Sequence, residues 1–397
     1  MASPKKAKVP AGPGISAEQL AQEVHVGRAR YVIVVTGGGS GAIATLLGVP
    51  GASRSILAAA VPYAAEALTE WLGGKPDEFC SAKTARAMAM AAFLRAKSYD
   101  PQAETCGAAC TASLASDRPK RGGHRAHFAF QTASATTVSS VELVKGQRSR
   151  AEEEAVVSAL LLNGIAVVSG TKGRLEVPLL EVEQVQSERV VAPLEQQDLL
   201  AGRTRAVALG AAQREPQPRA VFSGAFHPLH AGHRRMAEIA AQTLGCEVAF
   251  EISIVNVDKP PLDFIEIDGR TRQFAPEQAV WLTRAANFTE KAELFPGATF
   301  VVGADTIARI AHPRYYGGQQ VVVDRAIETI AARGCRFLVF GRAVEGTFRT
   351  LADLHIPAAL ERICQAVPES VFRDDVSSTH LRRQGQSPDA PSPAGDA

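Results

Sequence analysis

Residues 219–244 call for a strand, a sharp turn and a helix in immediate succession, and the turn is made of unusual material. Arg219-Ala220-Val221-Phe222 is short and apolar, as a buried strand requires. The run S-G-A-F-H-P-L-H-A-G-H at 223–233 follows and places three of the chain's nine histidines, His227, His230 and His233, within seven positions. From Arg234 to Leu244, Met236, Ile239, Ala240 and Leu244 recur on one helical face. Imidazoles bracketed by Gly224 and Gly232 and bent by Pro228 are poor core material. They suit phosphate, because an imidazole donates to phosphate oxygens and offsets charge that builds during phosphoryl or nucleotidyl transfer. The helix N-terminus adds backbone donors and the positive end of its dipole.

The pattern G-x-F-x-P-x-H-x-G-H, carried by Gly224, Phe226, Pro228, His230, Gly232 and His233, closely resembles the signature of the nucleotidylyltransferase (cytidylyltransferase-like) superfamily. That resemblance implies a Rossmann-like parallel sheet. It also implies transfer of a nucleoside monophosphate from ATP or CTP to a phosphate or sulfate acceptor, with release of pyrophosphate. The residue before the proline is usually Asp or Asn in the adenylyltransferase branch. Here it is His227, a departure that leaves the class intact and blurs the substrate.

Four further segments can be set against the same reading. V-S-S-T-H-L-R at 376–382 resembles the I-S-S-T-x-x-R motif near the end of such domains. Ser377, Ser378 and Thr379 would cap a short helix, and Arg382 would present its guanidinium to the β- and γ-phosphates. The strand Phe300–Val302 runs into Gly303-Ala304-Asp305, which resembles the G-A-D segment of nicotinamide and nicotinic acid mononucleotide adenylyltransferases. In those enzymes the glycine admits the nucleotide and the aspartate contacts ribose hydroxyls. The strand Ile252–Val255 leads to Lys259, with Arg270 and Arg272 beyond, and any of the three could bind an acceptor phosphate or lie on a solvated basic face. Arg342 follows the end of the strand Phe337–Phe340, where ligands are commonly contacted.

A second α/β domain is expected over 16–170. Ser16 caps a helix to about Gly27, Y-V-I-V-V at 31–35 is a buried parallel strand, and 36–41 is a glycine-rich turn. Helical spacing covers 42–47, 53–72, 81–96 and 152–163, with strands expected at 127–130 and 138–144. Val49, Pro50, Gly51 and Ser53 with Tyr63 resemble the C-terminal domain of the competence-damage (CinA) family, found alone as a nicotinamide mononucleotide deamidase. Gly107–Ser113 stands where that family has its second glycine loop. The family's nucleophilic serine falls near Thr36 or Gly37 here, and its lysine five residues after the tyrosine is Leu68. Thr36 or Ser40 could stand in as the hydroxyl, but without the lysine that lowers its pKa, amide hydrolysis lacks an activated nucleophile, so the domain reads as degenerate. Gly37-x-Gly39-x-x-Ala42 also satisfies a dinucleotide fingerprint but lacks the acidic strand end that should follow, which leaves a structural turn.

Composition narrows the rest. Lys plus Arg number 43 against 41 Asp plus Glu, and 6% of residues are aromatic, so no basic aromatic stripe marks a nucleic-acid surface. No apolar run reaches the ~20 residues that span a bilayer. The six cysteines form no C-x-x-C pair and read as structural thiols of a reducing compartment, with a cytoplasmic location expected. Residues 1–15 and 384–397 read as disordered arms, and 171–218 as a linker or irregular excursion before a nucleotidyltransferase domain at 219–383. The expected chain is therefore a two-domain α/β protein that uses ATP with Mg²⁺ and a small phosphorylated acceptor. No resident protein-bound metal is expected, and homo-oligomerisation is left open. The leading activity is mononucleotide adenylyl transfer; the alternatives are a retained deamidase or a non-catalytic nucleotide sensor.

Overall fold

In the computed structural model, which describes residues 14–117, 121–214, 217–256, 260–344 and 347–373, the run Y-V-I-V-V lies in strand β1 (Arg30–Thr36). Nearly all of it is buried because helices cover both faces of its sheet, which is why the sequence shows no alternation there. Parallel partners β2 (Ile56–Ala60) and β3 (Thr105–Ser113) flank β1. β4 (His124–Gln131), β5 (Ala135–Leu143) and β6 (Gln186–Val191) extend the sheet antiparallel in the order β2-β1-β3-β4-β5-β6. Tyr31, Ile33 and Val35 pack with α1 (Ala17–Val26), α2 (Ser40–Gly48) and α5 (Arg150–Ser169). Val32 and Val34 point to the other face, against α3 (Ala65–Leu72) and α4 (Ala82–Tyr99). Capping boxes start α1 (Ser16 with Gln19) and α5 (Ser149 with Glu152), each satisfying two otherwise orphaned backbone donors.

Three expectations are corrected in this part. Residues 53–72 are not one helix, because β2 pairs with β1 and Pro62, which has no N–H to give, separates it from α3. Residues 107–113 are not a loop but all of β3 after its first two residues. A Cβ on Gly107 would lie 2.0 Å from the carbonyl oxygen of Ala89, so the small residues of this strand let α4 press directly onto it. The stretch 171–218 is not irregular throughout. It carries β6, then α6 (Leu194–Ala201), then β7 (Ala206–Gly210), and its strands find partners far away in sequence.

The second sheet has the order β15-β12-β11-β8-β9-β10-β7. It joins β7 to β8 (Ala220–Ser223), β9 (Val248–Ser253), β10 (Ala279–Thr283), β11 (Thr299–Gly303), β12 (Arg336–Phe340) and β15 (Cys364–Ala366). Every pairing is parallel except β7 with β10. β13 (Arg342–Val344) and β14 (Thr347–Arg349) form a separate hairpin. α7 (Ala231–Leu244) connects β8 to β9, and α8 (Phe264–Thr271) lies between β9 and β10 in sequence. α9 (Phe288–Leu294), α10 (Ala304–Ile310), α11 (Gln320–Ala332) and α12 (Ala358–Glu361) supply Ala292, Ile307, Ile327 and Leu360 to a core with Phe300 of β11 and Phe337 of β12.

The described chain divides into two units, one drawn from 14–197 and 260–267, the other from 198–256 and 268–373. The short return to the first unit has a clear cause. Arg86 pairs with Asp263 at 2.9 Å and Glu266 at 3.1 Å, all three nearly buried, and the Thr136 hydroxyl accepts from the Phe264 N–H at 3.0 Å. No helix among the described residues is long and apolar enough to cross a membrane, and none of the six cysteines, all of them described, is in a disulfide. The expected terminal arms at 1–15 and 384–397 fall outside the described residues, apart from residues 14 and 15.

Candidate active site

The histidine turn leaves β8 at Gly224 and enters α7 at His230, its N-cap. Phe226 turns its backbone to φ 43°, an uncommon conformation for a residue with a side chain, and buries its ring. That ring packs edge-on against Phe222 (5.2 Å between centroids), His233 (5.2 Å), Phe250 (5.4 Å) and Phe274 (5.7 Å). A Cβ on Gly224 would come within 2.7 Å of the Phe226 ring, so glycine is required there by close approach. Phe226 thus supports the site from beneath.

His230 and His233 stack with ring centroids 3.7 Å apart, and the His230 backbone N–H donates to His233 Nδ1 at 3.3 Å. Burial, reinforced by the nearby charges of His230 and Arg342, pushes the pKa of His233 down to about 3. The ring is therefore neutral near pH 7. Because Nδ1 accepts, the neutral ring carries its proton on Nε2, as a donor. A folded-state value below the ordinary 6.5 means that acid favours the unfolded chain. The stability contributed by this group is complete above pH 6.5 and is lost progressively as the pH falls toward 3. Denaturant titrations of wild type and His233→Asn at pH 7 and pH 4 should show wild type losing about 3 kcal/mol more between the two. Equal losses would remove the partly buried neutral imidazole from the picture.

The rings line a cleft of about 340 Å³ at the carboxyl ends of β8, β11 and β12. From β8 the chain passes through α7 to β9 on one side, whereas β11 lies on the other side of β8. This reversal of direction is where open parallel sheets hold ligands. One wall consists of Ser223, Gly224, His227, His230, Gly232, His233 and Met236. The other carries Gly303, Asp305, Thr306, Arg309 and Arg342, with Phe372 at the margin. Arg342 holds Asp305 at 3.3 Å, and the missing side chain of Gly303 leaves room for the Asp305 carboxylate. Ser223 Oγ is buried without a hydrogen-bond partner, an unmet polar group in the wall.

Of the residues expected from sequence, His230, His233, Gly224, Phe226, Gly232, Gly303 and Asp305 come together here. Ser377, Ser378, Thr379, Arg382 and Lys259 lie outside the described residues. Arg270 and Arg272 are not among the residues lining this cleft. Arg270 donates to the Ala225 carbonyl at 3.1 Å, and Arg272, 76% exposed, pairs with Asp268 one helical turn away. Sequence reasoning missed Thr306 and Arg309, although Arg309 follows Asp305 at i+4 on the same helix and so returns to its face. Phe372 carried no local signal.

From the first strand of this cleft onward, residues 221–384 match a family model described as cytidylyltransferase-like. Residues 221–384 form a cytidylyltransferase-like domain. The match supports nucleotidyl transfer as the chemistry of the domain. Among solved structures, the chain is similar to a competence-damaged protein (CinA) superfamily protein from Escherichia coli (19% identity, 39% of this chain and 88% of that one, TM-score 0.29). It is also similar to the competence/damage inducible protein CihA from Agrobacterium tumefaciens (21% identity, 41% and 99%, TM-score 0.30). A third is a CinA superfamily protein from Enterobacter cloacae (15% identity, 41% and 98%, TM-score 0.32). No curated protein matches the sequence.

Outside the cytidylyltransferase-like domain, the glycine turn after β1 has its donors engaged internally. The Glu154 carboxylate accepts from the N–H groups of Gly39 (3.0 Å) and Gly41 (3.1 Å) and from the Ser40 hydroxyl (3.1 Å). Arg150 donates to the Gly37 carbonyl at 3.1 Å. An internal carboxylate thus sits where an anionic ligand of this turn would have to bind. Thr36 is buried at the end of β1, Tyr63 is exposed, and Leu68 packs into the core beside Val32 and Val34.

Proposed function

We propose that the C-terminal domain transfers AMP from ATP to the phosphate of a pyridine mononucleotide, nicotinamide or nicotinic acid mononucleotide, and releases pyrophosphate. The observation that carries the reading is the pairing of walls in one cleft, the stacked His230 and His233 facing Arg309 and Arg342. An acceptor phosphate oxygen attacks the α-phosphorus in line. A new P–O bond forms there as the bond to the bridging α–β oxygen breaks, and its electrons leave with pyrophosphate. No general base is needed, because the acceptor phosphate is already ionised near pH 7. His233 donates from Nε2 to phosphate oxygens without adding charge of its own, and the two arginines supply the positive charge. Asp305, held by Arg342 at the strand end, is placed to accept from ribose hydroxyls. Mg²⁺ would enter with ATP, as part of the MgATP substrate, and offset charge on its phosphates.

Pyrophosphate release measured with ATP or CTP against a panel of acceptors tests the proposal. The panel is nicotinamide mononucleotide, nicotinic acid mononucleotide, phosphopantetheine, riboflavin phosphate and phosphocholine. Release should require ATP and a pyridine mononucleotide. Release with another acceptor alone would keep nucleotidyl transfer and discard the substrate. ATP binding with no release from any acceptor would make the domain a nucleotide sensor.

A further inference from the structure

The turn that carries the histidines is held from outside by a segment whose sequence does not advertise it. Gln273, two residues beyond α8, accepts from the Leu229 N–H at 2.7 Å through Oε1. Its Nε2 donates to the Phe226 carbonyl at 3.0 Å and to the Arg270 carbonyl at 3.2 Å. One side-chain amide thereby closes the turn across His227 and Pro228, at the residue with positive φ on one side and just before the helix cap on the other. Arg270 takes the preceding carbonyl, that of Ala225, at 3.1 Å. From α7, Arg234 reaches back to the Gln273 carbonyl at 3.4 Å, and Phe274 packs against Phe226 and Phe250. Donor and acceptor are both needed, so among side chains of this length only glutamine serves; glutamate cannot donate to the Phe226 carbonyl when ionised.

We propose that Gln273 is a positioning residue for the histidine turn: by clasping Phe226 and Leu229 it holds the Phe226 ring against His233 and keeps His233 Nδ1 on the His230 N–H. Gln273 itself is not among the residues lining the cleft. Its effect on the reaction passes through the placement of two imidazoles, for which displacement by about 1 Å costs roughly a hundredfold in rate. The activity part of the test rests on the nucleotidyl-transfer reading, whereas the spectroscopic part does not.

The test uses the full chain with Gln273→Leu, which removes both bonds, and Gln273→Glu, which keeps only the acceptor. Histidine ring resonances followed against pH, with His233 assigned by its loss in His233→Asn, report the surroundings of that ring directly. The titratable or charged groups that face His233 are His230 and Arg342, and both are unchanged in the two variants. In the wild type His233 should titrate far below 6.5; in both variants its midpoint should move toward 6.5 while circular dichroism stays unchanged. With a working acceptor, kcat should fall roughly tenfold to a hundredfold with KM for ATP little altered. Folded variants whose His233 titrates as in the wild type would overturn the proposal, whatever their activity. Loss of fold in both variants would also overturn it, leaving Gln273 a residue of general stability. A moved midpoint in a protein that transfers nucleotide to no acceptor would support the positioning role and count against the proposed reaction.

Discussion

His233→Ala should lower kcat for pyrophosphate release by roughly 10²- to 10³-fold, the range seen when one preorganised donor to a developing anion is removed. The neutral imidazole is held by its stack on His230, by the edge of Phe226 and by the His230 N–H, so its Nε2 proton is fixed before substrate arrives. A fixed donor stabilises transition-state charge without paying for reorganisation, and for that reason the loss should appear in kcat more than in KM. His233→Asn retains an N–H donor at shorter reach and should recover part of the rate. Steady-state kinetics with the acceptor found from the panel checks both, with circular dichroism to establish that the fold survives. A His233→Ala enzyme with unchanged kcat would remove this turn from the chemistry.

The largest stability effect is expected at Lys291→Met. Lys291 Nζ lies 2.5 Å from Glu251 Oε2, and Glu251 is 0% exposed in the middle of β9. Thr283 donates to the other carboxylate oxygen, and the Glu251 backbone carbonyl accepts from Gly224, the first residue of the histidine turn. Removing the lysine leaves a buried carboxylate without its countercharge, at a cost of about 3–5 kcal/mol. Replacing both partners, as Glu251→Leu with Lys291→Met, should recover most of that loss, because two well-solvated charges no longer have to be buried. Urea unfolding at pH 7 measures all three proteins. A single variant within about 1 kcal/mol of wild type would show that water reaches the pair.

How far the fold could be read in advance differs from element to element. β1, β8 and α7 were legible because burial on two faces or on one stripe leaves its own mark on the local sequence. β2 and β3 were not, because I-L-A-A-A and T-C-G-A-A-C-T-A-S are small-residue runs whose strand character comes from pairing with β1 and from the closeness of α4. β6 and β7 sit at sheet edges with much of their surface exposed, so neither shows clean alternation.

The same division runs through the site. The order of residues in 219–244 alone determined a strand, a glycine-bearing histidine turn and a helix after it. It did so because turn chemistry, capping and periodicity act over a few neighbours. The helix begins at Ala231, three residues before the periodic run, so His230 caps it and Gly232 and His233 lie in its first turn. Only the tertiary structure decided that His233 is partly buried and neutral, that Phe226 supports it, and that Arg309 and Arg342 form the opposite wall. It also decided that Glu154 fills the other glycine turn and that Gln273 bonds across the histidine turn. Burial and charge depend on groups brought together from distant parts of the chain, and such meetings leave no periodic trace in either partner's own sequence.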